Sequence, residues 1–585
     1  MKSRSYIGLA CTGHDNALAI VNAQGELVFA EATERYLQNK RAYLTPPDDA
    51  FRIGKLIEEF CDTEDDIVVA KTWSSDVKSI FDRENQAAAQ ALQKTPQSPK
   101  AWQQLLGIYQ ATMALFLPSM ENSGVNLSLY CAGHPTRNAI HKRYSHHLTH
   151  AATGCYTSPF KEAVCLIVDG FGEGTAISAY AYKEGRLNSM SPDTQALDGM
   201  NSLGLFFGPI VCGLCGFNMW EGEEWKVMGL APYGKLDKDI YEKMSRVMRV
   251  SGLSIEFTDD APNAIADLEK HRRIPGSDAI SVADLAQTGQ QFFSDILTQL
   301  LLNLYETGVS DNLVLGGGCA LNSSSAGRIL DRTQFKNMHI FSAPADDGNA
   351  IGAAYLAYYE DHPEKHPKGA SQSPYLGSTL STETLDHLAE FGNIDTLVKL
   401  PYDELYQRTA KLLAEGKIVA WVQGRAEFGP RALGNRSILA DPRNPSMKDK
   451  INSRVKFREE FRPFAPSILE EFGDEYFIHY QDTPYMERTL VFREEVRTRV
   501  PAVVHEDNTG RLQSVKKDWN PHYYALIEAF YKLTGVPILL NTSLNVMGKP
   551  IVHSVEDAVA LFYTTGIDVL VLEDYIIEKH SMSLT

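Results

Sequence analysis

His146 and His150 stand four positions apart in the run His146-His147-Leu148-Thr149-His150. On a helix that spacing puts both rings on one face, close enough to share a single metal ion. Asp169 lies in a loop beside Gly170 and Gly172. The stretch Pro344-Ala345-Asp346-Asp347-Gly348 supplies a further carboxylate, expected at the end of a strand. Two imidazoles and two carboxylates suit a divalent transition metal such as iron, manganese or zinc. Both rings must be neutral to ligate, so metal loss is expected as the pH falls below about 6. An HxxxH pair alone is a weak signal, because a helix cap or a surface face explains it as well. The aspartates in glycine-bearing loops favour the metal.

A second constellation is cationic. Gly429-Pro430-Arg431-Ala432-Leu433-Gly434-Asn435-Arg436-Ser437 is followed by Lys456-Phe457-Arg458-Glu459, by Phe461-Arg462-Pro463-Phe464, and by Gly510-Arg511-Leu512-Gln513. A guanidinium in apolar surroundings needs a partner, and planar anions such as phosphate or carboxylate match its fork. Arg458 is expected to pair with Glu459 or Glu460, whereas Lys456, Arg462 and Arg511 read as anion ligands. Asn541 and Ser543 follow the apolar run Pro537 to Leu540, where an amide and a hydroxyl can complete an oxyanion pocket.

The elements that carry these residues repeat a plan. Tyr6 to Ala10 and Ala17 to Val21 read as strands around a small polar loop, and a turn then leads into Leu27 to Ala30. Val164 to Val168, a loop from Asp169 to Gly174 and Thr175 to Tyr182 repeat it. Two such units suggest an internally duplicated α/β domain. The pattern resembles the actin-like ATPase and sugar-kinase fold. Helical sequence covers Ala87 to Leu92, Trp102 to Leu117 and Val282 to Tyr305, and the strand around Leu313 to Leu315 ends in Gly316-Gly317-Gly318. Three glycines there would admit another backbone or a ligand. From Tyr359 to about Thr382 the composition reads as linker. The expected division is 1–360, a linker region 361–395, and a second α/β domain 396–585.

With 585 residues, 44 % of them apolar, the chain is too long for one core. A net charge of −18 argues against nucleic-acid binding. No apolar run is long enough for a membrane span and no signal pattern opens the chain, so a soluble cytoplasmic protein is expected. The eight cysteines include one lone CxxC, Cys212 and Cys215, expected to be reduced and structural.

Taken together these blocks resemble the O-carbamoyltransferases that act on nodulation factors, cephalosporin precursors and aminoglycoside antibiotics. The marks are Gly13-His14-Asp15, His146-xxx-His150-Ala151, Asp169-Gly170-Phe171-Gly172-Glu173, Met228-Gly229-Leu230-Ala231-Pro232-Tyr233-Gly234, Gly316-Gly317-Gly318-Cys319-Ala320-Leu321-Asn322 and the arginine blocks. The resemblance covers nearly the whole chain. It implies an N-terminal domain that is actin-like and similar to the tRNA threonylcarbamoyl-transfer enzyme. The C-terminal domain would be similar to the threonylcarbamoyl-adenylate synthase.

The C-terminal domain would bind carbamoyl phosphate and ATP with magnesium, through Lys456, Arg462, Arg511, Asn541 and Ser543, and make carbamoyl adenylate. The N-terminal domain would hold iron, or else manganese or zinc, on His146, His150, Asp169 and Asp346. Asp346 is preferred to Asp347 because the wider superfamily uses the first acid of this pattern. Nucleotide contacts fall to Asp169, Gly172, Gly316, Gly317, Gly318, Asn322 and Arg431. His14 stands beside the reacting carbamoyl group, and a small-molecule alcohol accepts it. A homodimer is compatible. Thr33-Glu34-Arg35-Tyr36 departs from the family's usual Glu-Glu-Arg-Phe, on what reads as the acceptor side. Rival readings are tRNA threonylcarbamoylation and an actin-like kinase or chaperone, neither of which accounts for the whole set.

Overall fold

Seven consecutive residues, Arg4–Ala10 (β1), are buried almost throughout, and a run apolar on both faces belongs in the middle of a sheet. A computed structural model, which describes residues 2–94, 98–192 and 194–579, places it there. Ala17–Val21 (β2) pairs antiparallel with β1, and Leu27–Ala32 (β3) with β2; Asp66–Lys71 (β4) runs parallel to β1, and Ala139–Arg143 (β5) parallel to β4. The order is β3-β2-β1-β4-β5.

The plan recurs. Glu162–Val168 (β6), Ile177–Lys183 (β7) and Arg186–Ser189 (β8) form an antiparallel meander. A small hairpin, Met248–Ser251 (β9) and Ser254–Phe257 (β10), stands apart. Asn312–Gly316 (β11) and Asn337–His339 (β12) then add in parallel to β6, in the order β12-β11-β6-β7-β8. Both sheets therefore have the same connectivity and the same strand senses. The duplicated actin-like, sugar-kinase-like class follows from this identity.

Glycines set how closely the helices approach. A Cβ on Gly8 of β1 would lie 1.8 Å from the Ala350 carbonyl, so the helix Asn349–Asp361 lies directly on that strand. A Cβ on Gly352 would lie 2.0 Å from the Thr149 carbonyl, in the helix His146–Tyr156. Each glycine thus permits backbone contact that no larger residue would. Asp346 opens a 3₁₀ turn, Asp346–Gly348, that leads into the helix Asn349–Asp361. It does not end a strand, as the sequence suggested; the preceding strand closes at His339.

The chain divides into two compact units: residues up to Glu34 with Arg41–Gln372, and Arg35–Lys40 with the chain from Ser373 onward. The second unit is built on one mixed sheet. Its strands are Val398–Lys399 (β13), Val419–Val422 (β14), Arg436–Ala440 (β15), Ala465–Leu469 (β16), Gln513–Val515 (β19), Ile538–Ser543 (β20), Val569–Leu572 (β21) and Tyr575–Glu578 (β22). They are ordered β13-β22-β21-β14-β15-β20-β16-β19. Thr489–Val491 (β17) and Thr509–Arg511 (β18) make a separate pair. Trp421, Ile438, Leu539 and Leu570 lie in its core, and Tyr523 of the helix Pro521–Thr534 packs there too.

The span read from sequence as linker contains a helix, Thr382–Phe391, capped by the Ser381 side chain, with Leu385 in the same core. Its few apolar residues hid it. All eight cysteines are buried and free. Among the described residues no helix is long and apolar enough to cross a membrane.

Candidate metal centre and anion pocket

The helix His146–Tyr156 presents His146 and His150 on one face, with their Nε2 atoms 3.3 Å apart. Asp169 follows directly on β6, and Asp346 opens the turn described above. His146 Nε2 lies 3.3 Å from Asp169 Oδ2 and 3.4 Å from Asp346 Oδ1; His150 Nε2 lies 3.5 and 3.3 Å from the same two atoms. All four donor atoms fall within 4.8 Å of one another. Bonds of about 2.0–2.2 Å to a tetrahedral ion imply donor separations of roughly 3.4 Å, which five of the six edges match. Four buried N and O donors on one centre therefore fit a first-row divalent ion.

Burial alone would favour a neutral His146. The Asp346 charge and hydrogen bonds with Asp169 and Asp346 outweigh it and push the imidazole up to about 10. His150 is raised by the same carboxylates against the same burial. Burial and the neighbouring Asp169 charge act to raise Asp346, yet the two histidines hold it down at about 2. Without an ion the cluster thus keeps protons that a metal has to displace.

The surroundings hold these ligands in place. The Gly318 N–H donates to Asp169 Oδ1 at 2.8 Å, leaving Oδ2 for the cluster. Gly317 has φ +86°, and a Cβ there would lie 2.3 Å from the Val168 carbonyl. The glycine turn is therefore needed by backbone contact with the end of β6. A Cβ on Gly172 would meet His147 Nε2 at 2.6 Å. His147 lies outside the quartet: its Nδ1 meets Ser178 Oγ at 2.7 Å, and burial, with His146 next, brings it down to about 3. Asn322 is committed locally. Its Oδ1 caps the helix Ser323–Ala326 and accepts from Gln290 at 3.0 Å. Asp347 bonds the Gly348 N–H, and burial reinforced by Asp15 pushes its carboxyl up to about 7.

Two neighbours, Trp73 and the Glu173 that ends the Asp169-to-Glu173 mark, make contacts the sequence did not foretell. The Trp73 ring, 1 % exposed, stacks on His146 at 4.2 Å and 17°, and its Nε1–H donates to the Cys11 carbonyl at 3.1 Å. Glu173 Oε1 accepts the His146 N–H at 3.1 Å and the Ser74 N–H at 2.8 Å. A lone Trp or Glu carries no local signal for such contacts. His14 follows Cys11 in the loop. Its Nδ1 lies 2.8 Å from Asp15 Oδ2, which also accepts from Arg41 Nη2 at 2.9 Å. Its ring meets Phe116 edge-on at 5.5 Å, and Phe116 in turn contacts Trp73 at 5.7 Å.

In the second unit the cations gather. Lys456 is 3 % exposed; burial, then Arg458 and Arg462, hold its amine well below the usual range. Its Nζ bonds Ser543 Oγ at 3.3 Å, the Asn545 carbonyl at 3.0 Å and Asn545 Oδ1 at 2.8 Å. Burial, then Arg431 and Arg458, lowers Arg511, whose Nε is buried with no partner among the described residues. Burial lowers Arg431 to about 10, and burial with Arg462 lowers Arg458 to about 9. Arg431 and Arg458 act on Arg511, and Arg458 and Arg462 on Lys456, so these cations form one cluster around the buried Lys456 amine.

Three details depart from expectation. Arg458 does not pair with Glu459 or Glu460. It bonds Asn452 Oδ1 at 2.8 Å and lies over the Phe464 ring at 4.6 Å, while Glu459 pairs with Arg462 at 3.1 Å. Asn541 uses its Nδ2 on the Ala432 carbonyl at 3.2 Å, Ser467 Oγ at 3.0 Å and Gln513 Oε1 at 3.1 Å. Its amide therefore holds the arginine loop and is not free to donate to an anion. Asn545, to which the sequence assigned no role beyond its place in the run Asn541 to Asn545, grips Lys456.

Against known families, residues 5–355 match the Carbamoyltransferase N-terminus and residues 410–579 the Carbamoyltransferase C-terminus. The nodulation protein NolNO of Sinorhizobium fredii is 37 % identical over 450 residues, 75 % of this chain and 64 % of that protein. NolO of Bradyrhizobium diazoefficiens is 35 % identical over 75 % of this chain and 80 % of its own. The nodulation protein U of Rhizobium tropici is 29 % identical over 92 % of this chain and 90 % of its own. Among solved structures, full-length HypF in a phosphate- and nucleotide-bound form is 13 % identical over 61 % of this chain and 55 % of that one. Its TM-score of 0.33 is too low to carry an argument.

Proposed function

This chain belongs to the carbamoyltransferase family, and on that premise we propose an ATP-dependent O-carbamoyltransferase that works in two half-reactions. The observation that carries the proposal is the cluster of buried Lys456 with half-buried Arg458, Arg462, Arg511 and Arg431, in which Arg511 Nε is buried and has no partner among the described residues. Cations gathered in such excess and partly withdrawn from water call for a polyanion. Carbamoyl phosphate and the triphosphate of ATP are such anions.

In the second unit, water and carbamoyl phosphate give phosphate and carbamate. Lys456, Arg462 and Arg511 neutralise the charge that builds on the leaving phosphate. A carbamate oxygen then attacks the α-phosphorus of ATP, forming carbamoyl adenylate and expelling pyrophosphate, with magnesium on the triphosphate. Arg431 and Ser543 line the same cluster. Carbamate decomposes in water, so enclosure by buried side chains favours the second step over loss.

In the first unit, an acceptor hydroxyl attacks the carbamoyl carbon and AMP leaves. A metal on His146, His150, Asp169 and Asp346 would supply Lewis-acid polarisation. His14 Nδ1 is tied to Asp15, which leaves Nε2 to take the hydroxyl proton. The glycine turn beside Asp169 is where the adenylate would lie. The acceptor is a small-molecule alcohol.

Pyrophosphate release from ATP tests the reading. Release that requires carbamoyl phosphate is expected, together with a mass gain of one carbamoyl group on the acceptor. ADP formation without carbamoyl phosphate would instead indicate a kinase or a nucleotide-driven chaperone.

A further inference from the structure

Residues 35–40 belong by packing to the second unit, although the chain delivers them directly after β3 of the first. Arg35 is 5 % exposed, and its Nη2 donates to the Gly429 carbonyl at 2.7 Å. Gln38 Nε2 donates to the Ile551 carbonyl at 2.9 Å, and the Tyr36 ring meets His553 edge-on at 5.8 Å.

Gly429 begins Gly429-Pro430-Arg431, the approach to a cation of the anion pocket. Its φ is +115°, a region glycine alone enters freely, so this peptide is the soft joint of the loop. Pro430 is rigid, with φ set by its ring. The orientation of the Gly429 peptide therefore decides where Arg431 starts. Downstream, Glu427 Oε1 accepts the Leu433 and Asn435 N–H groups at 2.6 and 3.1 Å. Asn541 holds the Ala432 carbonyl, and Gln513 holds that of Leu433 at 2.8 Å. Upstream, the Phe428 N–H donates to the Pro374 carbonyl at 2.8 Å, and Arg35 holds the Gly429 carbonyl itself.

We propose that Arg35, encoded in the N-terminal part of the chain, is a positioning residue for the anion pocket of the C-terminal unit, through its grip on the Gly429 carbonyl. This rests on the adenylate-forming reading above. It also moves Arg35 and Tyr36 from the acceptor side, where the sequence placed them with Thr33 and Glu34, to the carbamoyl-activating side.

The test uses the full chain and pyrophosphate release dependent on carbamoyl phosphate. Arg35→Met is expected to raise KM for carbamoyl phosphate or for ATP about tenfold or more, the scale of one lost charge-assisted bond. The melting temperature should stay near that of the parent. Arg35→Lys, which keeps a charged donor, should recover most of the loss. Gln38→Leu, which cuts the neighbouring bond to Ile551, should leave both KM values unchanged. Unchanged KM values in Arg35→Met would overturn the proposal, as would an equal loss in Gln38→Leu. If Arg35→Met does not fold, Arg35→Gln decides by the same criterion. Arg511→Met in the same assay keeps the two ideas apart. Retained release there defeats the adenylate reading itself, whereas its loss beside an unaffected Arg35→Met defeats this inference alone.

Discussion

The His146 quartet is a buried set of ionisable groups and the Arg511 pocket a largely half-buried one, and their charges are arranged in opposite ways. In the quartet two imidazoles face two carboxylates, so protons or a cation complete a nearly balanced set. In the pocket, cations depress one another, and the carboxylate of Glu459 pairs with Arg462 at the edge of a set in which positive charge is in excess. The first arrangement stabilises itself; the second is stabilised by its ligand. Removing a charge should therefore have opposite consequences in the two places.

The largest effect expected is at Arg511. Arg511→Met should abolish carbamoyl-phosphate-dependent pyrophosphate release and yet raise ligand-free stability by about 1 kcal/mol, since a half-buried charge is removed whose Nε has no partner among the described residues. Asp169→Asn should do the reverse in the other unit. It should cost about 3–5 kcal/mol, the scale for breaking a buried pair, while pyrophosphate release per folded molecule persists. Thermal melting without ligands, beside the release assay, checks both; equal signs would end the comparison.

Next in size is His14→Asn, which should slow transfer about a hundredfold or more and leave adenylate formation intact. Single-turnover assays of each half-reaction separate the two. Equal loss of both would contradict the division of labour.

The quartet's balance also has a pH signature. A metal-free His146 keeps its proton up to about 10, so a metal must displace that proton throughout the neutral range. Affinity should then rise with pH, by up to about tenfold per unit for each proton released. A chelator should strip metal from the protein much faster at about pH 6 than at about pH 8. The sequence alone suggested onset below about 6, because it could not register the carboxylates' pull on the rings.

The smallest effect expected is at Trp73. Trp73→Phe keeps a ring on His146 but loses the bond to the Cys11 carbonyl, worth about 1 kcal/mol. Transfer should slow a few-fold, with pyrophosphate release unchanged. A matching fall in both would make Trp73 a general core residue.

Much of the molecule was legible because its signals are local. Apolar runs around a polar loop marked β1, β2, β6 and β7, and a spacing of four put His146 and His150 on one helix face. Where information had to cross the chain, the sequence was silent or misleading. Arg458 stands next to Glu459, yet the turn of the backbone gives that carboxylate to Arg462. Asn541 looked like a free amide until folding surrounded it with Ser467, Gln513 and Ala432.

By itself, then, the sequence determined which side chains could ligate a cation or an anion, and which short elements carry them, since both depend on residue type and near spacing. Only tertiary structure decided that Trp73 stacks on His146 and that Arg35 belongs with Gly429. Those choices depend on backbone approach at Gly8, Gly317 and Gly352 and on the desolvation of charge, and neither is written in any single stretch of the chain.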